Sequence, residues 1–355
     1  MQVLYINQFK IIDRYSVFAG KIIVFFCLII GLSSCFEEDK QLFIIESKAN
    51  QHVKTLIISN PYTIYNYYSY IDLDSLKVVK TAFISSWDLA FESSPEGWHV
   101  QVNAANAKEI YPTGKTDFST NFSTTIVPSW SFDASTGNPD STAVGRWVSG
   151  TSGNYQYTNQ VYLLGNNNGD GTYTILKKIA FKKLTNNSIV FVTANANGTT
   201  ADTITIAKNP SYRYVYYSFD NPKQTLLIEP PKDSWDIVAG SYRAILYTDA
   251  GVATPYTVRG VTSNYPVVKT AKVWKSNFYT ALAKDTVGLK FSTFRDAIGY
   301  DWKDYNSADN NPYRIVPNLY YFIKTKSDKL IKLEFSGYIN ANAQYGYPTF
   351  TTVNF

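Results

Sequence analysis

One short stretch occurs twice in this chain, and its recurrence limits what the rest can become. Ser86-Trp87-Asp88-Leu89-Ala90-Phe91 is answered 148 residues later by Ser234-Trp235-Asp236-Ile237-Val238-Ala239. Each copy opens an apolar run with a Trp-Asp pair, passes a polar turn and starts a second strand, at Trp98-His99-Val100-Gln101-Val102 and at Tyr242-Arg243-Ala244-Ile245-Leu246-Tyr247. The flanks match in the same order. Tyr67-Tyr68-Ser69-Tyr70 corresponds to Tyr216-Tyr217-Ser218-Phe219 at a shift of 149, and Lys178-Ile179-Ala180-Phe181 to Lys332-Leu333-Glu334-Phe335 at a shift of 154. Three ordered matches at nearly one offset predict two copies of a domain of about 150 residues, an ordinary domain size.

The residue mix agrees with strands. Aromatics are 16% of the 355 residues and Tyr alone supplies 29, with many Thr, Val and Ile beside them, which favours pleated structure over helix. Both cysteines, Cys27 and Cys35, lie near the start, so the folded part has no disulfide, thiolate nucleophile or cysteine metal site. The first 34 residues hold three basic side chains and one acidic one, so the net charge of +5 falls to +3 without them. That is too little to draw the chain to nucleic acid or an anionic membrane face.

The start reads as an export signal. Lys21 precedes the run Ile22–Ile30, too short to span a bilayer but suited to a signal core, and Leu32-Ser33-Ser34-Cys35 closes it. This resembles the bacterial lipobox, in which the cysteine receives the lipid; residues 1–34 are then the signal peptide and Cys35 the lipidated residue. Phe36-Glu37-Glu38-Asp39 resembles the acidic export signal of Bacteroidetes surface lipoproteins, and residues 35–50 form an acidic tether. The expected location is the outer membrane, held by its lipid anchor and facing outward.

Along the remainder, Leu56–Ile58, Tyr62–Ile71 and Lys77–Lys80 are strand-like. Asn103 to Tyr157 is polar, with Trp130 and Trp147 isolated in it, which suggests loops that present aromatics. Gln160–Leu164 and Thr172–Leu176 flank Asn166–Gly171 as a hairpin, Ile189–Val192 and Thr203–Ile206 complete the first domain, and Asn209-Pro210 marks the junction. Near the end, Leu319–Thr325 and Leu330–Phe335 predict a second hairpin, with Leu330, Lys332 and Glu334 on a wet face and Ile331, Leu333 and Phe335 on a dry one. Residues 269–284 are the one candidate helix. The fold class is all-β: two tandem antiparallel sandwich-like domains, 51–209 and 210–355, after the signal.

The inventory for catalysis is thin. His52 and His99 are the only histidines, neither sits in a nucleophile context, no Gly-rich phosphate loop is present, and Asp301, Asp304 and Asp309 read as loop charges. The chain reads as no enzyme. Binding is better supported. Trp98, Trp130, Trp147, Trp302 and Tyr305 adjoin turn-rich sequence, where flat rings stack on a sugar, a porphyrin or a partner. Trp87 and Trp235 are assigned to core, with Asp88 and Asp236 as strand-end partners.

The lipobox, the Trp-Asp strand, the Tyr321-Phe322-Ile323-Lys324-Thr325…Lys329-Leu330-Ile331-Lys332-Leu333-Glu334-Phe335 hairpin and the closing Gly346-Tyr347-Pro348-Thr349-Phe350 strand resemble the HmuY family of Bacteroidetes surface lipoproteins. The resemblance implies haem or a related tetrapyrrole as cargo, held between strands by two axial side chains. The family's ligands there are His or Met, and this chain departs: residues 299–317 hold neither, and Met1 is its only methionine. Iron would then fall to His99, His52, Tyr305 or Tyr313. The expected function is a non-enzymatic surface binding lipoprotein with residues His99, Trp98, Trp130, Trp147, Trp302, Tyr305 and Tyr313 at its ligand. Two alternatives stand beside it: a docking component for an outer-membrane receptor, and a glycan binder.

Overall fold

The alternation of apolar and polar side chains, with β-branched and aromatic residues throughout, produces strands almost everywhere it was read. A computed structural model describes residues 53–122, 129–222, 224–309 and 312–355, all within one compact unit, Glu46–Phe355. The signal peptide, Cys35, the tether and His52 lie outside the described residues.

The first strands are β1 (Val53–Ile57), β2 (Tyr67–Asp72), β3 (Lys77–Phe83), β4 (Leu89–Glu92), β5 (Val100–Val102) and β6 (Lys108–Pro112). A small ribbon, β7 (Val148–Thr151) and β8 (Asn154–Tyr157), precedes β9 (Tyr162–Asn167), β10 (Tyr173–Leu184), β11 (Ser188–Ala194), β12 (Asp202–Ala207) and β13 (Tyr214–Tyr217). Then come β14 (Ile237–Tyr247), β15 (Ala253–Ser263), β16 (Lys269–Trp274), β17 (Lys303–Tyr305), β18 (Tyr313–Ile315), β19 (Leu319–Lys324), β20 (Leu330–Ile339) and β21 (Tyr345–Asn354). The protein is all-β, and every named strand pairs antiparallel.

Four sheets carry the structure, in the orders β1-β21-β20-β19-β16, β12-β11-β10-β9-β6, β13-β4-β5 and β15-β14-β2-β3. These pairings cross the expected junction at Asn209-Pro210. β1 lies against β21 and β2 against β14, while β13 lies against β4. One core therefore joins Ile58, Ile64, Ile71 and Leu73 to Ile237, Val261, Leu333 and Phe350, and another gathers Leu89, Phe91, Phe181, Phe191 and Tyr217.

The two Trp-Asp strands are fastened alike. The Asp88 N–H donates to Tyr217 O and the Asp236 N–H to Ile71 O, each at 2.8 Å. Asp88 in return accepts the Phe219 N–H, 131 residues away, and Asp236 the Leu73 N–H, 163 residues away. Behind each pair stands a buried amide. Asn103 Nδ2 donates to the carbonyls of Ile84 and Trp87, and Asn264 Nδ2 to those of Lys232 and Trp235. Each Trp-Asp pair thus grips a tyrosine strand from the far part of the chain. By this geometry Tyr70 matches Tyr216, so the Tyr67–Tyr70 correspondence read from sequence is three residues out of register.

Three further expectations change. Lys269–Trp274 is a strand paired with β19, not a helix, because Thr270, Ala271 and Val273 are buried against it. The expected wet face of β20 is covered at Leu330 and Lys332 and half-buried at Glu334: Lys332 is fully buried and donates to Phe278 O at 2.5 Å and Ala281 O at 2.6 Å, under the segment that carries those carbonyls. Lys178 repeats this in the first part, with its Nζ on Thr120 O at 3.0 Å. Trp147 and Trp302 are not presented by loops; both are 1% exposed, packed on Phe181 and Phe335 respectively.

Candidate functional site

Where the two gripped tyrosine strands meet, aromatic side chains face each other. Tyr70 and Trp235 make an edge contact at 5.0 Å, and Trp87 and Tyr216 make another at 5.0 Å. Tyr68 and Tyr214 extend the cluster, and Gly240 admits the Tyr68 ring, since a Cβ there would come within 2.6 Å of it. Rings this large, held at the ends of short strands, do not close completely. They leave a cavity of about 100 Å³ lined from both parts of the chain, by Tyr68, Tyr70, Trp87 and Asn103 on one side of the sequence and Tyr214, Tyr216, Trp235 and Asn264 on the other.

Among the residues that line it, Trp87 Nε1, Trp235 Nε1, Arg213 Nε and Arg243 Nε are buried beyond the reach of water and find no partner of good geometry, the Trp87 indole lying against the Tyr68 hydroxyl. Several acceptors of the wall are engaged. Glu229 accepts the Tyr214 N–H at 2.7 Å, Asp133 accepts the N–H groups of Val102 and Ala143 at 2.8 Å, Asn103 Oδ1 accepts the Asn106 N–H, and Asn264 Oδ1 accepts from Arg213. Arg295 stands among Tyr68, Tyr216, Tyr70 and Tyr214. Burial pushes the carboxyls of Glu229 and Asp133 up to about 7, against the pull of their backbone donors and of Arg213 and Arg295. Arg243 is paired with Glu109 at 3.3 Å.

None of the seven ligand residues expected from sequence lines this cavity. Trp98, His99 and Trp147 form one group: Trp147 Nε1 donates to Trp98 O at 2.7 Å, and the Trp98 ring lies 3.8 Å from His99. The imidazole is committed, with Nδ1 bonded to Glu92 and the buried Nε2 facing Asp140 at 3.7 Å. Trp130 is elsewhere, stacked on Tyr173 at 4.7 Å and covering Gly165, where a Cβ would meet it at 2.5 Å. Tyr305 is 62% exposed and contacts Tyr313 across the β17–β18 pair. Tyr313 bonds Tyr65, and burial first, then that hydroxyl, hold its proton far above the ordinary tyrosine range, which opposes a tyrosinate ligand. Asp301 and Asp309 are spent on Lys272 and Arg314. Among the described residues no three His, Cys, Asp or Glu side chains converge as a metal site. Sequence reading missed the cavity residues. The doubled tyrosine strand was a usable signal for four of them, but nothing near Arg295 or Glu229 marked them.

Fold and site together define an antiparallel β protein with a small aromatic cavity between two sheets. No family profile and no curated protein matches the chain. Solved structures similar to it include a Bacteroides vulgatus protein assigned as HmuY-like and heme-binding, at 11% identity over 87% of this chain and 95% of that one, with a TM-score of 0.23. Apo PinO from Porphyromonas gingivitis is similar at 11% identity over 86% and 99%, with a TM-score of 0.27. The apo HmuY analog of Tannerella forsythia is similar at 10% over 88% and 98%, with a TM-score of 0.23.

Proposed function

We propose that the protein is a non-catalytic binding lipoprotein of the outer membrane, anchored through Cys35, whose cargo sits in the cavity between the Trp-Asp strands. We further infer that the chain is two copies of one unit that have exchanged their first strands, so that the cavity lies at their shared axis. The observation that carries the reading is the cavity itself, walled by aromatic rings from both parts of the chain, Tyr68, Tyr70, Trp87, Tyr214, Tyr216 and Trp235, with Arg213, Arg243 and Arg295 among them. Tetrapyrrole cargo fits less well. Pockets for drug-sized ligands run to about 300–1,000 Å³, this cavity is about 100 Å³, and the one described imidazole is committed to Glu92.

Two experiments test the reading. Protease treatment of intact cells is expected to degrade the protein; protection of all of it would place it inside the envelope. Haemin titration is expected to give no Soret shift at micromolar concentration, and a shift would restore the haem reading. A second function, docking to a receptor, draws support from exposed Ile57, Val78, Val79 and Phe83 along the free edges of β1 and β3. It predicts co-purification with a membrane partner.

A further inference from the structure

We propose that the β14–β15 hairpin is a dimerisation arm, through which two molecules of this protein join along the free edge of β14 about a twofold axis.

The hairpin outruns its sheet. β2 pairs with β14 only at Ile237–Ala239, whereas β14 and β15 stay paired residue for residue out to Tyr247 and Ala253. On one face Tyr242, Ala244 and Val258 cluster with Leu246 and Tyr300. On the other, Ile245, Tyr247, Ala253 and Pro255 are all exposed, with no polar side chain among them. Tyr247 is 72% exposed, and Tyr256 near it 53%. A two-stranded ribbon is marginally stable in water without further cover, and exposed apolar patches mark contact surfaces.

Backbone chemistry selects the edge. Along an antiparallel strand the N–H and C=O groups of alternate residues point to alternate sides. On β15 the outward side belongs to Pro255, which has no N–H, and to Thr257, whose carbonyl accepts from Arg259 at 3.0 Å. That edge is closed. Their partners in register on β14, Ile245 and Arg243, then face outward too, and Tyr247 with them. Among the described residues no strand pairs with β14 on that side beyond Ala239. Ile245 and Tyr247 therefore offer open donors and acceptors.

Charge and symmetry select the occupant. From Ala244 to Tyr256 the one charged residue is Asp249, in the turn. A carboxylate leading the arm opposes entry into lipid, and the absence of Lys and Arg from this stretch leaves nothing to draw an acidic partner. An identical arm fits. Laid antiparallel about Leu246, Ile245 meets the partner's Tyr247 in a pair of aliphatic and aromatic side chains, repeated across the axis. Each Asp249 then comes opposite the partner's Arg243, a residue whose ion pair within its own chain is with Glu109. At about 150–250 Å² per aromatic side chain the arm can cover on the order of 500 Å² per molecule, the low end for a specific interface, so the dimer is expected to be weak.

The test uses the full chain. Light scattering in detergent across the micromolar range is expected to show a monomer passing to a dimer. Tyr247→Asp, at an exposed site, is expected to weaken the dimer about tenfold or more, whereas Tyr279→Asp, exposed elsewhere, leaves it unchanged. Leu246→Cys, placed on the axis, is expected to form a disulfide-linked dimer in oxidised whole cells. Ile245→Cys and Tyr247→Cys should cross-link when mixed and far less when alone. A dimer indifferent to Tyr247→Asp, or a monomer at every concentration with no Leu246→Cys dimer in cells, would overturn the inference. So would capture of a protein of different mass by Leu246→Cys in place of a second copy, or loss of phosphatidylcholine vesicle binding in Tyr247→Asp without any dimer.

Discussion

The two Trp-Asp regions share a plan and differ in how deeply their carboxylates are held. Around Asp88 the cation is Lys108, 3.7 Å away, and the carboxylate also takes the Ser218 hydroxyl. Around Asp236, which is fully buried, the cation is Lys326 at 3.1 Å, itself bonded to Asp72 and 3.7 Å from Asp74. The amide clamps of Asn103 and Asn264 bond the Trp carbonyls at 2.7 and 2.9 Å, and both indole–tyrosine edges lie at 5.0 Å. The shared clamp holds a distant tyrosine strand in both regions, whereas the ion cluster is an addition around Asp236 that ties β2 and the β19–β20 turn to the β14 strand.

The comparison can be broken most forcefully at the carboxylates. Asp236→Ala strands Lys326 beside its remaining partners and is expected to cost about 3–5 kcal/mol, the range for breaking a buried pair; Asp88→Ala should cost clearly less. Urea unfolding of both variants measures the gap, and equal losses would mean the ion cluster adds nothing.

A pH effect of similar size belongs to Glu229, which lies 4% exposed between the halves. Its folded pKa is raised to about 7 from 4.5. From pH 4.5 to 7 the unfolded carboxyl ionises while the folded one keeps its proton, so stability is lost as pH rises through that window. The loss is on the order of 3 kcal/mol, at 1.36 kcal/mol per unit. Glu229→Gln should flatten this slope in urea midpoints between pH 4 and 8.

Next come the amides. Asn103→Ala and Asn264→Ala each leave two buried carbonyls without a donor and should cost about 2–3 kcal/mol, by nearly equal amounts if the clamps are equivalent. The smallest effect is reserved for the exposed loop: Tyr305→Phe should change stability by less than about 0.5 kcal/mol.

Much of this was legible in the residues. Turn chemistry located the β9–β10 hairpin, although Asn166 and Asn167 pair within it and the chain turns after them, and Lys326–Lys329 sit where the β19–β20 hairpin turns. Trp87 and Trp235 lie in the core as expected. Alternation gives no information on which distant strand a strand will meet, so the pairing of β1 with β21, β2 with β14 and β13 with β4 was hidden. Polarity misled for a related reason. Lys332 and Trp147 look like surface and loop residues until a neighbouring carbonyl, Phe278 O or Trp98 O, satisfies the one polar group each carries. The cavity was hidden too, because unpartnered donors are defined by what surrounds them and not by the residue that bears them.

A crystal structure of the protein purified from its own cells, at a resolution that separates ions from water, tests the central claim most directly. The prediction is one ligand per chain, seated in the cavity among Tyr70, Trp87, Tyr216 and Trp235. A cavity filled by ordered water alone, or a ligand lodged at the Tyr305–Tyr313 surface, would contradict it.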